Sequence, residues 1–510
     1  MEATWKTESF EYLKLILDTS LTGEETREAI VPDAYPDMAQ VVDVEGNITL
    51  RSKEAGAGRI SVSGSVAANV LYLPEGEGGL KSIELTLPFT MGYDASEITD
   101  EASLTVKAKL SSIDARMINS RKVLVRADIL VEAKAYEPSA LSLASELEDE
   151  AADGLHVRKE QVELSFVSQV REKTFVLADD FSLPAGKPAI GQILKSRIRL
   201  RPDDVKNVGN KLIFKGAAHV HLLYTGAQEA EPTVLDLEAS FSQIMELEGE
   251  GEGANYEISL MLTNAYVENG TTESGGVTLE LHLVAQAVER KTRQMHYISD
   301  AYSTRFDLDA GRTEYTLESQ DEKETHTAEV RESIELPAGI LRVVDTSAHT
   351  GRVQWGLEGG RVISRTSVSL SVVYVTEAGA LEGQTRRFEA AMEMDARENE
   401  NYAIEADVGA DLAVTQTADG IEVRLPVSFT VWPTRKGRVF AIDSLSWDEE
   451  APRDLEALPS VVVFHAEGGE SLWHLAKRYT STEAQIMAAN SLIEDAVPYP
   501  GQLFIIPKAR

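Results

Sequence analysis

The sequence contains no cysteine, few basic residues and no long apolar run. The absence of cysteine excludes disulfides, thiol nucleophiles, thiolate zinc sites and iron–sulfur clusters. No apolar run reaches the roughly 18 residues that a membrane-spanning helix requires. Polar residues at Glu8, Glu11 and Lys14 follow the first residues, where a secretory signal would have an apolar stretch. We therefore expect an intracellular protein.

Negative charge dominates the composition and limits the classes of partner. The 510 residues include 49 Lys and Arg against 84 Asp and Glu, a net charge of −35. Phosphate backbones and anionic lipids repel such a polyanion, so nucleic acid and membrane are poor partners, whereas a basic protein or a neutral glycan remains plausible. The segment from Val461 onward carries only −1 of this charge. The two regions of the chain therefore have different surfaces, which suggests different roles.

The length and the hydrophobic content predict several folded domains. At roughly 150 residues per domain, a chain of 510 residues corresponds to three or four domains. Its hydrophobic fraction of 43% is ordinary for globular proteins, so each domain can bury a core.

An internal repeat is visible at an offset of 152 residues. Several separated segments match in this one register, which is difficult to produce by chance. The matching segments are Val31–Val42 with Leu183–Leu194, Arg59–Gly64 with Lys211–Gly216, and Val70–Tyr72 with Leu222–Tyr224.

A third and less regular copy follows the first two. It opens at Leu336–Gly339, continues through Arg361–Ser364 and reaches Val372–Tyr374. We therefore predict repeat 1 over 1–148, repeat 2 over 149–303, repeat 3 over 304–445, an acidic linker over 446–460 and a C-terminal domain over 461–510.

The repeats have the pattern of β-strands. Apolar residues alternate with polar ones in segments such as Ile60–Tyr72 and Val123–Ile129, which places the apolar side chains on one face of a sheet. Clusters of Gly, Pro, Asn and Asp separate these segments. The predicted fold class is mainly β, with an antiparallel sandwich or barrel in each repeat. No alternation of helices and strands indicates a parallel α/β enzyme fold.

The C-terminal fifty residues predict a small β-α-α-β domain. Val461–His465 and Leu503–Pro507 are typical of strands. Leu472, Leu475, Ala476 and Tyr479 recur at helical spacing after a turn and cap at Gly469–Ser471. Thr482 is expected to cap a second helix.

The repeats resemble the SPOCS domain, which is found in spore-coat proteins of endospore-forming bacteria. The resemblance is carried by the opening motif Pro32 and Pro36-Asp37, the strand from Gly64 to Tyr72 and the closing strand Arg121–Arg126. It is clearest in repeat 1. It is weakest in repeat 3, where Thr366 stands at the position of Gly64 and the second proline is lost.

The C-terminal domain resembles the LysM family over its whole length. In that family, glycans containing N-acetylglucosamine bind between the loop before the first helix and the loop before the last strand. The resemblance implies a glycan- or partner-binding site made of Gly469, Glu470, Ser471, Leu472, Leu492, Ile493, Tyr499 and Pro500.

Two departures favour protein docking over glycan binding. Glu470 stands where the family usually has aspartate, and Gly468-Gly469 loosens the loop. A single LysM domain also binds glycan weakly, because high affinity normally comes from several domains acting together. In SPOCS–LysM proteins of the SipL type, this domain engages the coat-assembly ATPase, stage IV sporulation protein A.

The resemblance therefore implies a non-catalytic sporulation scaffold in the mother cell, at the forespore surface or spore coat, that docks onto this ATPase through its LysM domain. The alternative is a peptidoglycan-binding protein in which the acidic repeats act as a spacer. A third hypothesis, a hydrolase with an unrecognised site, has little support.

No residue pattern in the sequence predicts catalysis or a cofactor. His219 and His221 share one face of a strand, and His282 in the same repeat could approach them, but a metal site requires a third ligand. The equivalent positions in the other repeats lack histidine, so a solvated or hydrogen-bonded strand face is the favoured interpretation. No Gly-x-Ser-x-Gly motif stands between a strand and a helix. We therefore expect a protein that is not an enzyme and needs no cofactor.

Overall fold

The computed structural model describes residues 1–76, 79–148, 154–228, 231–249, 251, 253–270, 276–336, 339–409, 412–492 and 499–509. These residues form strands β1 to β23 and helices α1 and α2, and the fold is mainly β, as predicted. The strands of repeat 1 (β1–β6) are Trp5–Ile30, Met38–Gly56, Arg59–Pro74, Lys81–Asp94, Ser103–Asn119 and Lys122–Leu147. Those of repeat 2 (β7–β12) are Leu155–Ser182, Ile190–Val208, Lys211–Gly226, Pro232–Glu246, Asn255–Asn269 and Gly276–Ser303. Those of repeat 3 (β13–β21) are Leu308–Gln320, Glu324–Glu335, Arg342–Thr350, Gln354–Glu358, Arg361–Val375, Leu381–Asp395, Glu400–Val408, Ala413–Gln416 and Gly420–Trp447. The C-terminal domain contains β22 (Val461–His465), α1 (Leu472–Arg478), α2 (Glu483–Asn490) and β23 (Leu503–Pro507).

Each repeat is built from two antiparallel sheets that pack face to face. In repeat 1, β2, β3 and β4 form one sheet, and β1, β6 and β5 form the other. Repeat 2 repeats this order with β8, β9 and β10 against β7, β12 and β11. The alternating apolar residues of the strands face the space between the sheets, as the pattern of period two predicts. Each repeat consequently has a core of its own.

A close contact between a glycine and an aromatic ring explains one conserved feature of repeats 1 and 2. A Cβ atom on Gly64 would lie 2.3 Å from the Thr49 carbonyl oxygen and 2.5 Å from the Phe89 ring. Gly216 has the equivalent surroundings, with the Arg201 carbonyl oxygen at 2.4 Å and the Phe241 ring at 2.6 Å. No side chain fits in these two places, so both positions require glycine.

Repeat 3 accommodates Thr366 at this position because its neighbouring strand is interrupted. Where repeats 1 and 2 have one strand, repeat 3 has β15, which ends at Thr350, and β16, which begins at Gln354. The Thr366 hydroxyl donates a hydrogen bond to the Gly351 carbonyl in the break, at 3.0 Å. The sequence departure noted above therefore corresponds to a local change in the backbone.

A tyrosine hydroxyl anchors the proline-containing opening motif in repeats 1 and 2. The Tyr72 hydroxyl donates to the Pro36 carbonyl at 3.2 Å, and the Tyr224 hydroxyl donates to the Pro188 carbonyl at the same distance. In repeat 3 the second proline is lost, and the Tyr374 hydroxyl donates to Glu382 at 2.8 Å instead. The tyrosine hydroxyl and the carbonyl of the second proline thus form a contact that repeats 1 and 2 share and repeat 3 lacks.

The three repeats pack around a common axis and do not form three separate bodies. A buried aliphatic cluster takes equivalent residues from each repeat. These residues are Val42 and Leu71, Leu194 and Leu223, and Val344 and Val373. Contact among equivalent positions requires an arrangement with approximate threefold symmetry. The repeats therefore share an interior and are not independent units of an extended scaffold. The structure does not test the domain boundaries, which stay a prediction.

Beyond this axis, three long antiparallel ribbons form a stem. Each ribbon pairs the first strand of a repeat with its last strand. Strand β1 pairs along the whole of β6 and β7 along the whole of β12, whereas β13 pairs with the distal half of β21. Residues from all three ribbons bury two further apolar clusters along the stem. The C-terminal domain packs at the far end, against the last residues of β12.

The C-terminal domain has the predicted order of elements and the predicted caps. The Ser471 hydroxyl accepts a hydrogen bond from the His474 amide and begins α1, and Thr482 caps α2 through the Gln485 amide. Strands β22 and β23 pair in antiparallel register and cover the two helices with Phe464, Phe504 and Ile506. In the part of the chain that the structure describes, no helix has the length and apolarity needed to cross a membrane.

Candidate functional site

The two loops of the predicted binding site lie next to each other in the C-terminal domain. Backbone hydrogen bonds of 2.9 Å join Ala466 to Gln502 and Gly501 to Ala466. A Cβ atom on Gly468 would lie 2.8 Å from the Pro500 ring, so the loops touch at this point. The predicted residue Ile493 lies outside the described residues, and the structure gives no information on it.

Two of the predicted polar residues use their side chains within their own loop. The Glu470 carboxylate accepts hydrogen bonds from the amides of Glu467 and Gly468, at 3.0 and 2.9 Å. These backbone bonds lower the pKa of Glu470. Ser471 caps α1 and also contacts the His474 ring at 3.0 Å. Both groups therefore stabilise the loop, which reduces what they can offer to the acetamido group of a sugar.

The predicted apolar residues divide between the core and the surface. Leu472 is buried in the domain core, and Leu492 is half-buried against it. Tyr499 and Pro500 are exposed, and the Tyr499 ring is 64% accessible. Gly469 has a left-handed φ of 89°, and no atom lies within 4 Å of the place where a Cβ would stand. The open surface of this site therefore consists of Gly469, Tyr499 and Pro500.

The outer face of the two-stranded β22–β23 sheet is an exposed aliphatic surface that was not predicted from the sequence. In the pairing register, Val463 stands opposite Ile505, and His465 stands opposite Leu503. Val463 and Leu503 are 66% and 64% exposed, and Val461 and Ile505 are also exposed. We call Val461, Val463, Leu503 and Ile505 the sheet face. The sequence pattern could have indicated it, because two short strands that cover one small domain on one face must expose their other face to solvent.

A second unpredicted feature is the attachment of the C-terminal domain to the stem. Asp300, near the end of β12, accepts a hydrogen bond from the Trp473 indole at 2.7 Å and one from the Lys477 ammonium at 2.6 Å. Arg312 of β13 also binds this carboxylate. Burial alone would raise the pKa of Asp300, but these donors outweigh it and lower the pKa. Trp473, which also packs in the core of the C-terminal domain, thus joins this domain to repeat 2.

Tyr302 completes this attachment from the same strand. Its ring meets the Trp473 ring edge-on at 4.8 Å, and its hydroxyl donates to the Ser481 carbonyl at 3.1 Å. Only 5% of Tyr302 is exposed, and it belongs to the apolar core of the C-terminal domain. The domain is therefore held in one orientation on the stem.

The linker between β21 and β22 is also fixed to the stem through one arginine. The Arg453 guanidinium donates to the Asp307 carboxylate at 2.8 Å and to the Ser303 carbonyl at 3.2 Å. Its backbone amide donates to the Arg305 carbonyl at 2.7 Å. The stretch predicted as an acidic linker over 446–460 is therefore bound to the stem at this arginine.

The three histidines considered as metal ligands point to different partners. Both ring nitrogens of His221 face carboxylates, with Asp236 at 2.6 Å and Asp345 at 2.8 Å. Burial lowers the pKa of His221, but these carboxylates outweigh that effect and raise it. Among the residues that the structure describes, no group of three His, Cys, Asp or Glu side chains is placed to hold a metal ion. The other two histidines have carboxylate neighbours of their own: His219 has Glu238 at 3.6 Å and His282 has Glu280 at 2.8 Å.

Comparisons with known proteins agree with the architecture. The model of the SipL family, described as a SPOCS domain, matches residues 37–118 and 189–268. Those segments extend from the opening motif to the fifth strand in repeats 1 and 2, and the match does not extend to repeat 3. The LysM domain model matches residues 468–507.

One curated relative is the uncharacterized protein YkzQ of Bacillus subtilis (strain 168). It is 36% identical over 58 residues, which are 11% of this chain and 76% of the relative. No solved structure matches the chain. The chain therefore contains SPOCS segments of the SipL family in repeats 1 and 2 and a LysM domain at the end of the stem.

Proposed function

We propose that this chain is a non-catalytic adaptor of sporulation that acts in the mother cell at the forespore surface. SPOCS and LysM domains are non-catalytic binding domains associated with sporulation and with peptidoglycan binding. In our proposal, the repeats form a rigid body and the LysM domain docks onto a coat-assembly ATPase of the stage IV sporulation protein A type.

The sheet face is the observation that carries this proposal. Four aliphatic side chains lie exposed on one small sheet, on a domain whose opposite side is packed against the stem. Clustered exposed aliphatic residues are typical of protein–protein contacts, where burial of apolar area provides much of the binding free energy. Unlike the strongly acidic repeats, the surrounding domain has almost no net charge, so this surface does not require a basic partner.

Peptidoglycan binding is the second candidate, and a different surface favours it. The exposed Tyr499 ring, the adjacent Pro500 and the open space at Gly469 could cover one face of a pyranose ring. Against this, the side chains of Glu470 and Ser471 are engaged within their own loop. The site thus has few free polar side chains with which to recognise a sugar.

Binding by the purified full-length chain separates the two candidates. We expect Val463→Asp to weaken binding to the purified ATPase roughly tenfold or more, because an unpaired carboxylate would become buried in an apolar contact. Tyr499→Ala should leave that affinity unchanged. Val176→Asp is the matched control, because Val176 is an exposed valine on β7 of repeat 2.

The opposite pattern would support the glycan candidate. If Tyr499→Ala abolished cosedimentation with purified peptidoglycan, and if neither the wild-type chain nor Val463→Asp bound the ATPase, the adaptor proposal would be wrong. Equal losses of binding for Val463→Asp and Val176→Asp would show a nonspecific effect of charge, which also contradicts it.

A further inference from the structure

Ionisable residues from all three repeats meet on the common axis. Asp43, Lys195 and Asp345 occupy equivalent positions, each directly after a β-bulge in β2, β8 and β15. The Lys195 ammonium forms an ion pair with Asp43 and another with Asp345, the latter at 2.6 Å. None of the three side chains is more than 2% exposed. One buried cation from repeat 2 therefore binds two carboxylates, one from each of the other repeats.

Neighbouring repeats supply the remaining hydrogen bonds of this group. The Ser371 hydroxyl of repeat 3 donates to Asp43 at 2.6 Å, and the His221 ring of repeat 2 donates to Asp345 at 2.8 Å. Burial alone would lower the pKa of Lys195, but the carboxylates outweigh it and raise the pKa. Burial raises the pKa of Asp345, but Lys195 and His221 outweigh it and lower the pKa.

The same distribution of charge continues two residues further along the strands. Glu45 of repeat 1 is fully buried; Arg197 of repeat 2 lies 3.4 Å from its carboxylate and His349 of repeat 3 lies 3.0 Å from it. Although burial raises the pKa of Glu45, His349, Arg197 and Lys195 outweigh it and hold the pKa well below its usual value. In this layer, repeat 1 is acidic and repeat 2 is basic.

A second layer, formed by β5, β11 and β19, reverses these signs. The Lys107 ammonium of repeat 1 forms ion pairs with Glu257 of repeat 2 at 3.2 Å and with Glu405 of repeat 3 at 3.0 Å. Lys109, also of repeat 1, donates to the Ala406 carbonyl at 2.8 Å. Here repeat 1 is basic, and repeats 2 and 3 are acidic.

We propose that these axial faces are recognition surfaces that admit one copy of each repeat to an axis and exclude sets in which one repeat is present twice. Three copies of repeat 1 would place three aspartates together in the first layer and three lysines in the second. Three copies of repeat 2 would place three lysines in the first layer. Only a set with one of each repeat puts one cation between two carboxylates in both layers.

The energetics of buried ion pairs agree with a role in specificity. Because desolvation offsets the attraction, a buried pair adds little net stability, whereas leaving a buried charge without a partner is strongly destabilising. The buried aliphatic cluster beside these charges would pack almost as well with identical repeats, since its members are all Val or Leu at the paired positions. Aliphatic packing holds the repeats together, and the charges discriminate among the possible sets.

Exchange of the charges in the full-length chain tests this proposal. Lys195→Asp creates three buried carboxylates, and we expect it to lower the melting temperature by roughly 5–10 °C. Adding Asp43→Lys moves the cation from repeat 2 to repeat 1, restores one cation and two carboxylates, and should recover at least half of that loss. The control exchanges the signs of the half-exposed pair Arg361 and Glu393 on the surface of repeat 3. We expect this exchange to leave the melting temperature unchanged.

Two outcomes of this exchange would overturn the proposal. One is a melting temperature for Lys195→Asp within about 1 °C of wild type. The other is a double variant that is no more stable than Lys195→Asp alone. If Lys195→Asp does not fold, recovery of a soluble monomer in the double variant supports the proposal, and its failure to fold contradicts it.

Neutralising the layer tests specificity separately from stability. The triple variant Asp43→Asn, Lys195→Met, Asp345→Asn should still fold, but refolding from denaturant at high concentration should yield oligomers in which a repeat from a second chain duplicates one already present at an axis. Light scattering on the eluted species would show them, whereas the wild-type chain should refold to monomer. A triple variant that refolds only to monomer, with the wild-type yield, would show that the charges do not select the set of repeats.

Discussion

Removal of the Asp300 carboxylate should release the LysM domain from the stem. In Asp300→Ala, the Trp473 indole and the Lys477 ammonium lose their shared acceptor, to which they donate at 2.7 and 2.6 Å. Hydrogen bonds to a charged group contribute roughly 1.5–3 kcal/mol each. Because 15% of the Asp300 side chain is exposed and water can replace part of the interaction, we expect a total loss of about 2–4 kcal/mol. The population of undocked molecules should then rise on the order of 30- to 1000-fold.

Trypsin cleavage after Arg453 reports this population. In the docked state the Arg453 guanidinium is bound by Asp307 and the Ser303 carbonyl, so the linker is not free to enter a protease. When docking is fast relative to cleavage, the cleavage rate follows the open population. The Asp300→Ala chain should therefore release the C-terminal fragment 454–510 faster by the factor given above.

Asp309→Ala is the matched control for this experiment, because Asp309 is exposed on the neighbouring β13. Its cleavage rate should equal that of wild type. A rate for Asp300→Ala within about threefold of this control would refute the reasoning, because it would show that the stem contacts contribute almost nothing to docking.

Two further predictions concern the interior. Burial and the nearby Glu405 raise the pKa of Glu132 to about 7, against roughly 4.3 in an unfolded chain, so its contribution to stability falls as pH rises through that window. In urea unfolding, Glu132→Gln should accordingly be more stable than wild type by roughly 2–4 kcal/mol at pH 8 and little changed at pH 5. A difference in stability that does not vary with pH would contradict this prediction. Gly216→Ala should lose roughly 1–3 kcal/mol in the same assay, since its Cβ would meet a backbone oxygen at 2.4 Å. Gly356→Ala, which meets no atom within 4 Å, is the control, and equal effects would show that the close contact is not the cause.

The local structure was largely predictable because it depends on patterns that neighbouring residues set. Alternating apolar residues predicted the strands, and the offset of 152 residues predicted two copies of one fold. Ser471 and Thr482 cap the two helices as predicted, since a hydroxyl before a helix finds its amide partner within three residues. The departure at Thr366 was visible too, although the interrupted strand that accommodates it was not.

The candidate site was only partly predictable. The LysM resemblance named residues on both loops, but the sequence could not show that Glu470 and Ser471 are engaged locally or that Leu472 is buried. The sheet face follows from a register that places Val463 opposite Ile505, and the pattern of the two strands alone did not indicate that this side of the domain is a binding surface.

The sequence by itself determined the fold class, the repeats and the near-neutral C-terminal domain, because each depends on composition or on spacing along the chain. Tertiary structure alone decided which distant side chains meet. Asp43, Lys195 and Asp345 stand about 150 residues apart in the chain and become neighbours only when equivalent strands close around an axis. Asp300 and Trp473 meet because the long strand β12 ends where the C-terminal domain packs. The physical reason is the same in both cases: burial gives such pairs their strength, and burial is a property of the assembled fold.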